Sequence, residues 1–448
     1  MRGFIKKLVP KNIRRIYIEL RKRFIMAEFH LFRIFPIRKK RVVLCNVWGF
    51  GDNPKWIAKA LRRADKSTEV IFVTDKAAVE HVPSGIRLVQ NNTPRAVYYL
   101  ATAHVWVDCN RKEPYIVKRS GQIYIQTWHG SLPLKKLEDD YKGLSEEYMK
   151  NALRDSKMTD LCLSDGEFMN DIYRKAFGYE CEIRITGSAR LDPLIRPNVK
   201  RVIRTKKMIA KLAGLSDING TPDKAKPTGI KPDADDISGS GEITDTTTQT
   251  GYEGFKIAVY APTYRENDRE IDFPDFEAVR KKLEERFGGE FVIVARVHPL
   301  VRKKLKNCGE RVVDGSSFGD LYELLEASDI LITDYSNTMF EFAYAGRPVF
   351  LYAPDAKAYE AERGFYFDYS SLPFPKASST QELCDMITDY SAFDYRNEQR
   401  EFFENIGIWE DGKASRRIAE LVLRKVYRSI MTCFRMRNFL RRKRYTRI

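Results

Sequence analysis

The sequence predicts an α/β protein built from two doubly wound parallel sheets. From Arg41 onward, short β-branched runs alternate with longer stretches of helical periodicity, the pattern of parallel strands joined by helical crossovers. A chain of 448 residues with 43 % hydrophobic content can fill two cores of ordinary size. The α/β rhythm breaks over residues 213–254 and then resumes, which divides the chain into two Rossmann-like halves facing one cleft.

In the first half, strands are expected at Val42–Asn46, Val70–Thr74, Val105–Asp108, Ile123–Gln126, Leu161–Ser164 and Ile183–Thr186, with helices such as Lys55–Ala64 and Pro94–Thr102 between them. This domain spans 41–200. Gly, Pro, Ser, Thr, Asp and Lys dominate 213–254, which reads as a disordered loop or insertion. Asp233, Asp235 and Asp236 within it fit a solvated linker better than a metal site. The second domain, 255–423, has strands at Ile257–Ala261, Phe291–Val297, Ile330–Thr333 and Val349–Tyr352, and helices at Phe276–Phe287, Phe318–Ala327, Thr338–Ala345 and Ser415–Tyr427.

The net charge of +17 is concentrated at the two ends. Residues 1–41 carry +12 and residues 424–448 carry +10, which leaves the intervening chain slightly acidic. Both ends interleave their cations with large apolar residues at roughly helical spacing, among them Phe24, Phe29, Phe35, Phe434 and Phe439. That mixture suits an anionic membrane surface better than nucleic acid. Residues 1–40 and 424–448 are therefore expected to act as basic, amphipathic membrane-binding segments; Glu28, His30 and Arg33 interrupt the most apolar stretch, which excludes a bilayer span. The seven cysteines show no paired framework and read as reduced thiols.

Three segments carry the chemistry. Ile123–Gln126 is an apolar strand that ends in Thr127-Trp128-His129-Gly130, and strand ends point into the ligand crevice of such sheets. A histidine there can serve as general base, since imidazole titrates near neutral pH. Phe291–Val297, with Arg296 near its end, leads in the same way into His298. Ile330–Thr333 is followed by Asp334, Ser336, Asn337 and Thr338 at a helix start, where free backbone N–H groups and hydroxyls suit a phosphate. Weaker turns supply Asn53 and Lys55, Arg190 and Asp192, and Thr263 and Arg265. No P-loop, GxGxxG or zinc-spaced Cys/His cluster is present, so kinase, dehydrogenase and metallohydrolase readings lose their usual support, and no metal ligands are assigned.

In this order, GDNPK at 51–55, TWHG at 127–130, GSARLD at 187–192, YAPTYR at 260–265, VHP at 297–299, TDYSN at 333–337 and DGKASRR at 411–417 resemble the CDP-glycerol glycerophosphotransferase family of teichoic acid primases and polymerases. The resemblance implies a GT-B-like fold, with the acceptor on the first domain and a CDP-polyol donor on the second. It further implies a lipid-linked or saccharide hydroxyl acceptor, no tightly bound cofactor, and peripheral attachment to the cytoplasmic face of the membrane. His129 carries over as base and His298 as donor-phosphate partner or second catalytic histidine. Arg265, Ser336 and the adjoining helix start carry over as diphosphate contacts, and Ser415 and Arg417 as part of the donor side. Trp128, Gly130, Thr333 and Glu341 complete the expected substrate-binding set. Ala189 stands where the family commonly has proline, Asn337 where a second serine is usual, and Glu341 where aspartate is frequent. A CDP-ribitol transferase, a nucleotide-sugar glycosyltransferase and a non-enzymatic membrane- or nucleic-acid-binding protein are the competing readings.

Overall fold

The computed structural model describes residues 11–76, 82–141, 144–215, 254–265, 272–298, 305 and 309–427. Most of the 213–254 segment, and of the basic tail after 424, lies outside them. Two compact units divide the chain: the first contains 1–131, 137–192 and 407–448, the second 132–136 and 193–406.

The first unit opens with helix α1 (Lys11–Phe32) and strand β1 (Arg38–Cys45), followed by α2 (Asp52–Ala64), β2 (Glu69–Thr74), β3 (Ile86–Gln90), α3 (Pro94–Thr102) and β4 (Ala103–Asp108). It continues through β5 (Ile123–Gln126), α4 (Glu146–Met158), β6 (Leu161–Ser164), α5 (Glu167–Lys175) and β7 (Glu182–Ile185). The strands are all parallel in the order β3-β2-β1-β4-β5-β6-β7, a doubly wound sheet whose direction of winding reverses between β1 and β4. Local chemistry sets the boundaries. Thr93 caps α3 by accepting the Ala96 N–H at 3.3 Å, and Pro94 occupies the first turn, where its missing N–H is harmless.

Both faces of this sheet are buried. Val42, Leu44, Phe72 and Val107 pack on one side with Ala414, Ile418, Val422 and Val426, which recur every four residues along the final helix, α13, over 414–427. Val43, Ile71, Trp106 and Tyr124 pack on the other side beneath Ile25 and Phe29 of α1 and the apolar face of α3. Two expectations change here. The stripe on α13 brings 407–427 into the first unit, so the second domain does not extend to 423. Phe29, expected at a membrane, is fully buried against Trp106, a burial that stabilises by about 1.5–3 kcal/mol.

The second unit contains α6 (Val199–Leu212), β8 (Lys256–Tyr260), α7 (Phe276–Phe287), β9 (Phe291–Ala295), β10 (Val312–Asp314), α8 (Leu321–Glu326) and β11 (Ile330–Thr333). It ends with α9 (Thr338–Ala343), β12 (Val349–Tyr352), α10 (Ala356–Arg363), β13 (Lys376–Ala377), α11 (Thr380–Thr388) and α12 (Ala392–Asn405). Its parallel order, β10-β9-β8-β11-β12-β13, repeats the winding of the first sheet, with the reversal between β8 and β11. Asp275 caps α7 through the N–H groups of Glu277 and Ala278, and Gly288, at φ +68°, ends it in the left-handed conformation that glycine adopts without strain.

Candidate active site

In the first unit, the turn after β5 is fixed from several directions. Trp128 adopts φ +52°, a costly conformation for a bulky residue, and its surroundings hold it there. Its N–H donates to Gln126 Oε1 at 3.0 Å, its indole N–H donates to Tyr179 Oη at 3.1 Å, and its ring meets Phe177 edge-on at 4.7 Å. Asn53, fully buried on α2, donates to the Trp128 carbonyl at 3.0 Å and accepts the Arg190 N–H at 3.0 Å. The Arg190 guanidinium bonds the His129 carbonyl and pairs with Asp52 at 3.2 Å.

These contacts leave the His129 imidazole exposed with one nitrogen committed. Nδ1 lies 2.8 Å from the Cys109 carbonyl, just beyond β4 at the winding reversal. A carbonyl only accepts, so Nδ1 carries the proton and Nε2 presents its lone pair. Beneath the turn, Asn53, Thr127, Gly130, Ser164, Asp165 and Ser188 line a small polar pocket. Glu410 accepts the Ser188 N–H at 2.6 Å; burial, followed by the nearby Asp165, pushes its carboxyl pKa well above the ordinary value.

The structure brings Asn53, Trp128, His129, Gly130 and Arg190 together, but assigns four other expected contacts in this unit to structural work. Asp192 accepts the Ala414 and Ser415 N–H groups at 2.9 and 2.8 Å and so caps α13. Arg417 chelates Asp411 at 2.7 Å and donates twice to the Thr186 carbonyl. Ser415 and Arg417 thus belong to the first unit and brace its final helix, contrary to the donor-side expectation. Lys55 is buried with its ammonium 5.0 Å from the Trp56 ring.

In the second unit, the ends of β8, β9 and β11 carry the expected residues. His298 is exposed, its ring 4.0 Å from that of Tyr264. Ser336 and Thr338 hydroxyls lie 2.9 Å apart at the start of α9, a helix of only six residues. The Thr263 hydroxyl is buried with no hydrogen-bond partner among the described residues.

Arg265, expected to hold a diphosphate, is instead a keystone. It chelates Asp355 at 2.9 and 3.0 Å, pairs with Asp334 at 2.9 Å and lies 4.8 Å from both the Tyr335 and Tyr359 rings. Burial opposes its charge, but the bonds to Asp355 and the charge of Asp334 outweigh that and raise its pKa. Asp334 also accepts the Thr263 N–H at 2.9 Å, and Thr333 donates to the Ala261 carbonyl at 2.7 Å. Asn337 accepts the Leu134 N–H at 3.2 Å, while Glu341 is buried and accepts the Tyr322 hydroxyl. Arg296 donates to the Phe318 carbonyl at 2.7 Å, and burial lowers its pKa. Thr333, Asp334, Asn337, Glu341 and Arg296 thus make contacts that support loops or core.

Sequence reasoning missed Cys109, Asp52 and Asp355. Asp52 lies in a glycine-rich turn already singled out, and its φ of +58° adds to the strain beside the site. Cys109 and Asp355 act from neighbouring strand ends, which only the strand order reveals. Among the described residues, no group of three or more His, Cys, Asp or Glu side chains could hold a metal ion.

Two doubly wound parallel-sheet units define a fold of the GT-B-like class. The model of the CDP-Glycerol:Poly(glycerophosphate) glycerophosphotransferase family matches residues 25–214 and 232–424, and the chain belongs to that family. It is therefore a glycerophosphotransferase-type enzyme. A teichoic acid poly(glycerol phosphate) polymerase of Bacillus spizizenii is 27 % identical over 91 % of this chain and 98 % of its own length. The teichoic acid poly(glycerol phosphate) polymerase of Bacillus subtilis is 25 % identical over 95 % of this chain, which spans about half, 54 %, of that relative. A Staphylococcus aureus teichoic acid glycerol-phosphate transferase is 28 % identical over 84 % of this chain and 90 % of its own length. The fold is that of the wall teichoic acid polymerase TagF, whose H548A structure superposes with a TM-score of 0.72 at 24 % identity, covering 96 % of this chain and 99 % of that one.

Proposed function

We propose that this protein transfers glycerol phosphate from CDP-glycerol to a hydroxyl of a teichoic-acid-type acceptor and releases CMP, with His129 as general base. The observation that carries the reading is the Nδ1 bond to the Cys109 carbonyl at 2.8 Å, which orients Nε2 as a proton acceptor on an exposed ring. The acceptor hydroxyl attacks the β-phosphorus of the donor while Nε2 takes its proton, and the bond to the CMP oxygen breaks. Donor phosphates are assigned to His298, Ser336, Thr338 and the buried Thr263 hydroxyl. These groups replace Arg265 in that role, because each nitrogen of its guanidinium already meets Asp355, Asp334 or the Thr263 carbonyl. A glycerol donor is favoured over ribitol by the extent of the relationships: the first four relatives, all acting on glycerol phosphate by name, align over 84–95 % of this chain, and two named for ribitol phosphate over 37–38 %.

The acceptor is assigned to a lipid carrier at the cytoplasmic membrane face. Helix α1 buries Ile25 and Phe29 but exposes Ile13, Ile16, Leu20, Phe24 and Leu31 at helical spacing, beside Arg21, Lys22 and Arg23. Among the described residues no helix is long and apolar enough to cross a bilayer, so α1 would lie in the interface. The decisive experiment incubates the protein with labelled CDP-glycerol, CDP-ribitol or a UDP-sugar and a lipid-linked acceptor, and follows nucleotide release. CMP release fastest from CDP-glycerol is the expected result; turnover of the UDP-sugar alone would overturn the reading.

A further inference from the structure

Gln126, the last residue of β5, is fully buried, and its amide reaches both partners of the bond that fixes the His129 ring. Oε1 accepts the Trp128 N–H at 3.0 Å, one residue before His129. Nε2 donates to the Asn110 carbonyl at 3.2 Å, one residue after Cys109. The amide fits only this way round, since an N–H donates and a carbonyl accepts. Among the described residues, the backbone ladder between β4 and β5 runs out where the Thr127 N–H meets the Asp108 carbonyl at 2.8 Å. Beyond that point the Gln126 side chain sets the spacing of the two loops.

Tyr124, two residues earlier on β5 and so on the same face, supports the amide. It too is fully buried, and its oxygen accepts from Gln126 Nε2 at 3.0 Å, which occupies the second proton of that nitrogen. The hydroxyl proton has acceptors of its own, Asp155 Oδ2 at 3.3 Å and the Asn110 carbonyl at 3.5 Å. Burial, with the charge of Asp155, raises the Tyr124 pKa well above the ordinary phenol, so the hydroxyl keeps its proton and offers Gln126 a lone pair. Asp155 is held in turn by the Lys112 N–H at 3.0 Å.

We infer that Gln126 is a positioning residue for the base and that Tyr124 locks its amide: together they hold the Cys109 carbonyl against His129 Nδ1 and keep the lone pair on Nε2. Without that partner an imidazole can carry its proton on either nitrogen, and a ring protonated at Nε2 cannot accept one there. The kinetic consequence rests on the transferase reading given above; the tautomer does not.

Two variants test this, each read by kinetics and by the ¹⁵N shifts of the histidine rings in the free, labelled protein. Gln126→Met keeps similar volume but makes neither bond. It should lower kcat about tenfold or more, the scale of a displaced catalytic group, with CDP-glycerol affinity by calorimetry unchanged and the His129 ring moved from one tautomer toward a mixture. Tyr124→Phe removes only the lock and should change both readouts in the same direction by less. Folded Gln126→Met with wild-type kcat overturns the proposal, and so does a loss of kcat with unchanged His129 shifts, which would mark a structural role only. If Gln126→Met does not fold, Tyr124→Phe decides by the same readouts. Failure of the transferase reading would look different: the wild-type protein would release no CMP from CDP-glycerol, while the ring shifts would still report the tautomer.

Discussion

His129 and His298 share one local grammar, an apolar strand that runs into an imidazole, but their surroundings differ. His129 has its carbonyl held by Arg190 and its Nδ1 held by the Cys109 carbonyl from the neighbouring strand end, so its tautomer is fixed before substrate arrives. His298 is exposed with its ring 4.0 Å from that of Tyr264, and two carboxylates of its unit, Asp334 and Asp355, converge on Arg265. The first arrangement suits proton abstraction, which needs one defined lone pair. Arg190 and Arg265 teach a related lesson: both looked like phosphate ligands, and both, themselves buried, brace loops through carboxylate pairs.

The strongest way to break this comparison is to remove the keystone of the second unit. Arg265→Leu leaves Asp334, 1 % exposed, without its cation and should destabilise that unit by about 3–5 kcal/mol, read from denaturant unfolding. Loss of donor affinity with unchanged stability would restore Arg265 as a phosphate ligand. His129→Ala should retain CDP-glycerol binding but lower CMP release by roughly a hundredfold or more, about 3 kcal/mol in the barrier. Near wild-type turnover would remove it as the base.

The network behind His129 gives a pH-dependent test. Asp155 accepts the Lys112 N–H at 3.0 Å, and burial raises its pKa from 3.8 to about 6. The folded state then binds a proton more tightly than the unfolded chain, so this group's contribution is fully present below about pH 4 and is lost as pH rises to 6 and beyond. Asp155→Asn should abolish that loss, gaining on the order of 2 kcal/mol at pH 7 relative to pH 4, as measured by paired thermal melts. A wild-type to variant difference that is flat across this range would contradict the shift. The smallest effect is expected at the second unit's hydroxyls. Ser336→Ala should weaken CDP-glycerol binding by about 1.5 kcal/mol, the usual value of a hydrogen bond to a charged group, with the acceptor KM unchanged. Equal calorimetric affinity would reduce Ser336 to a turn residue.

Much of the fold was legible. Ile123–Gln126, Leu161–Ser164, Ile330–Thr333, Val349–Tyr352, Pro94–Thr102 and Phe276–Phe287 form over the residues their periodicity and flanking turn residues indicated. Strand β3, Ile86–Gln90, was not, because Arg87 and Gln90 dilute the apolar signal in a short edge strand. In the site, the histidines and the Trp128 and Asn53 turns could be seen because each lies at a local boundary between apolar and polar sequence. Arg265, Asp192 and Arg417 misled because a guanidinium or carboxylate near a strand end looks the same in sequence whether its partner is a substrate or a residue far along the chain.

The sequence by itself determined the α/β class, the strands that run into the two histidines and the family, since periodicity, turn chemistry and ordered motifs are all local properties. Only the tertiary structure decided that α13 returns to the first sheet, that Phe29 is core while Phe24 is surface, and that the Cys109 carbonyl sets the tautomer of His129. Each of these depends on which face of a sheet an apolar stripe covers or which strand lies beside another. Those pairings join residues tens to hundreds of positions apart, and no local pattern encodes them.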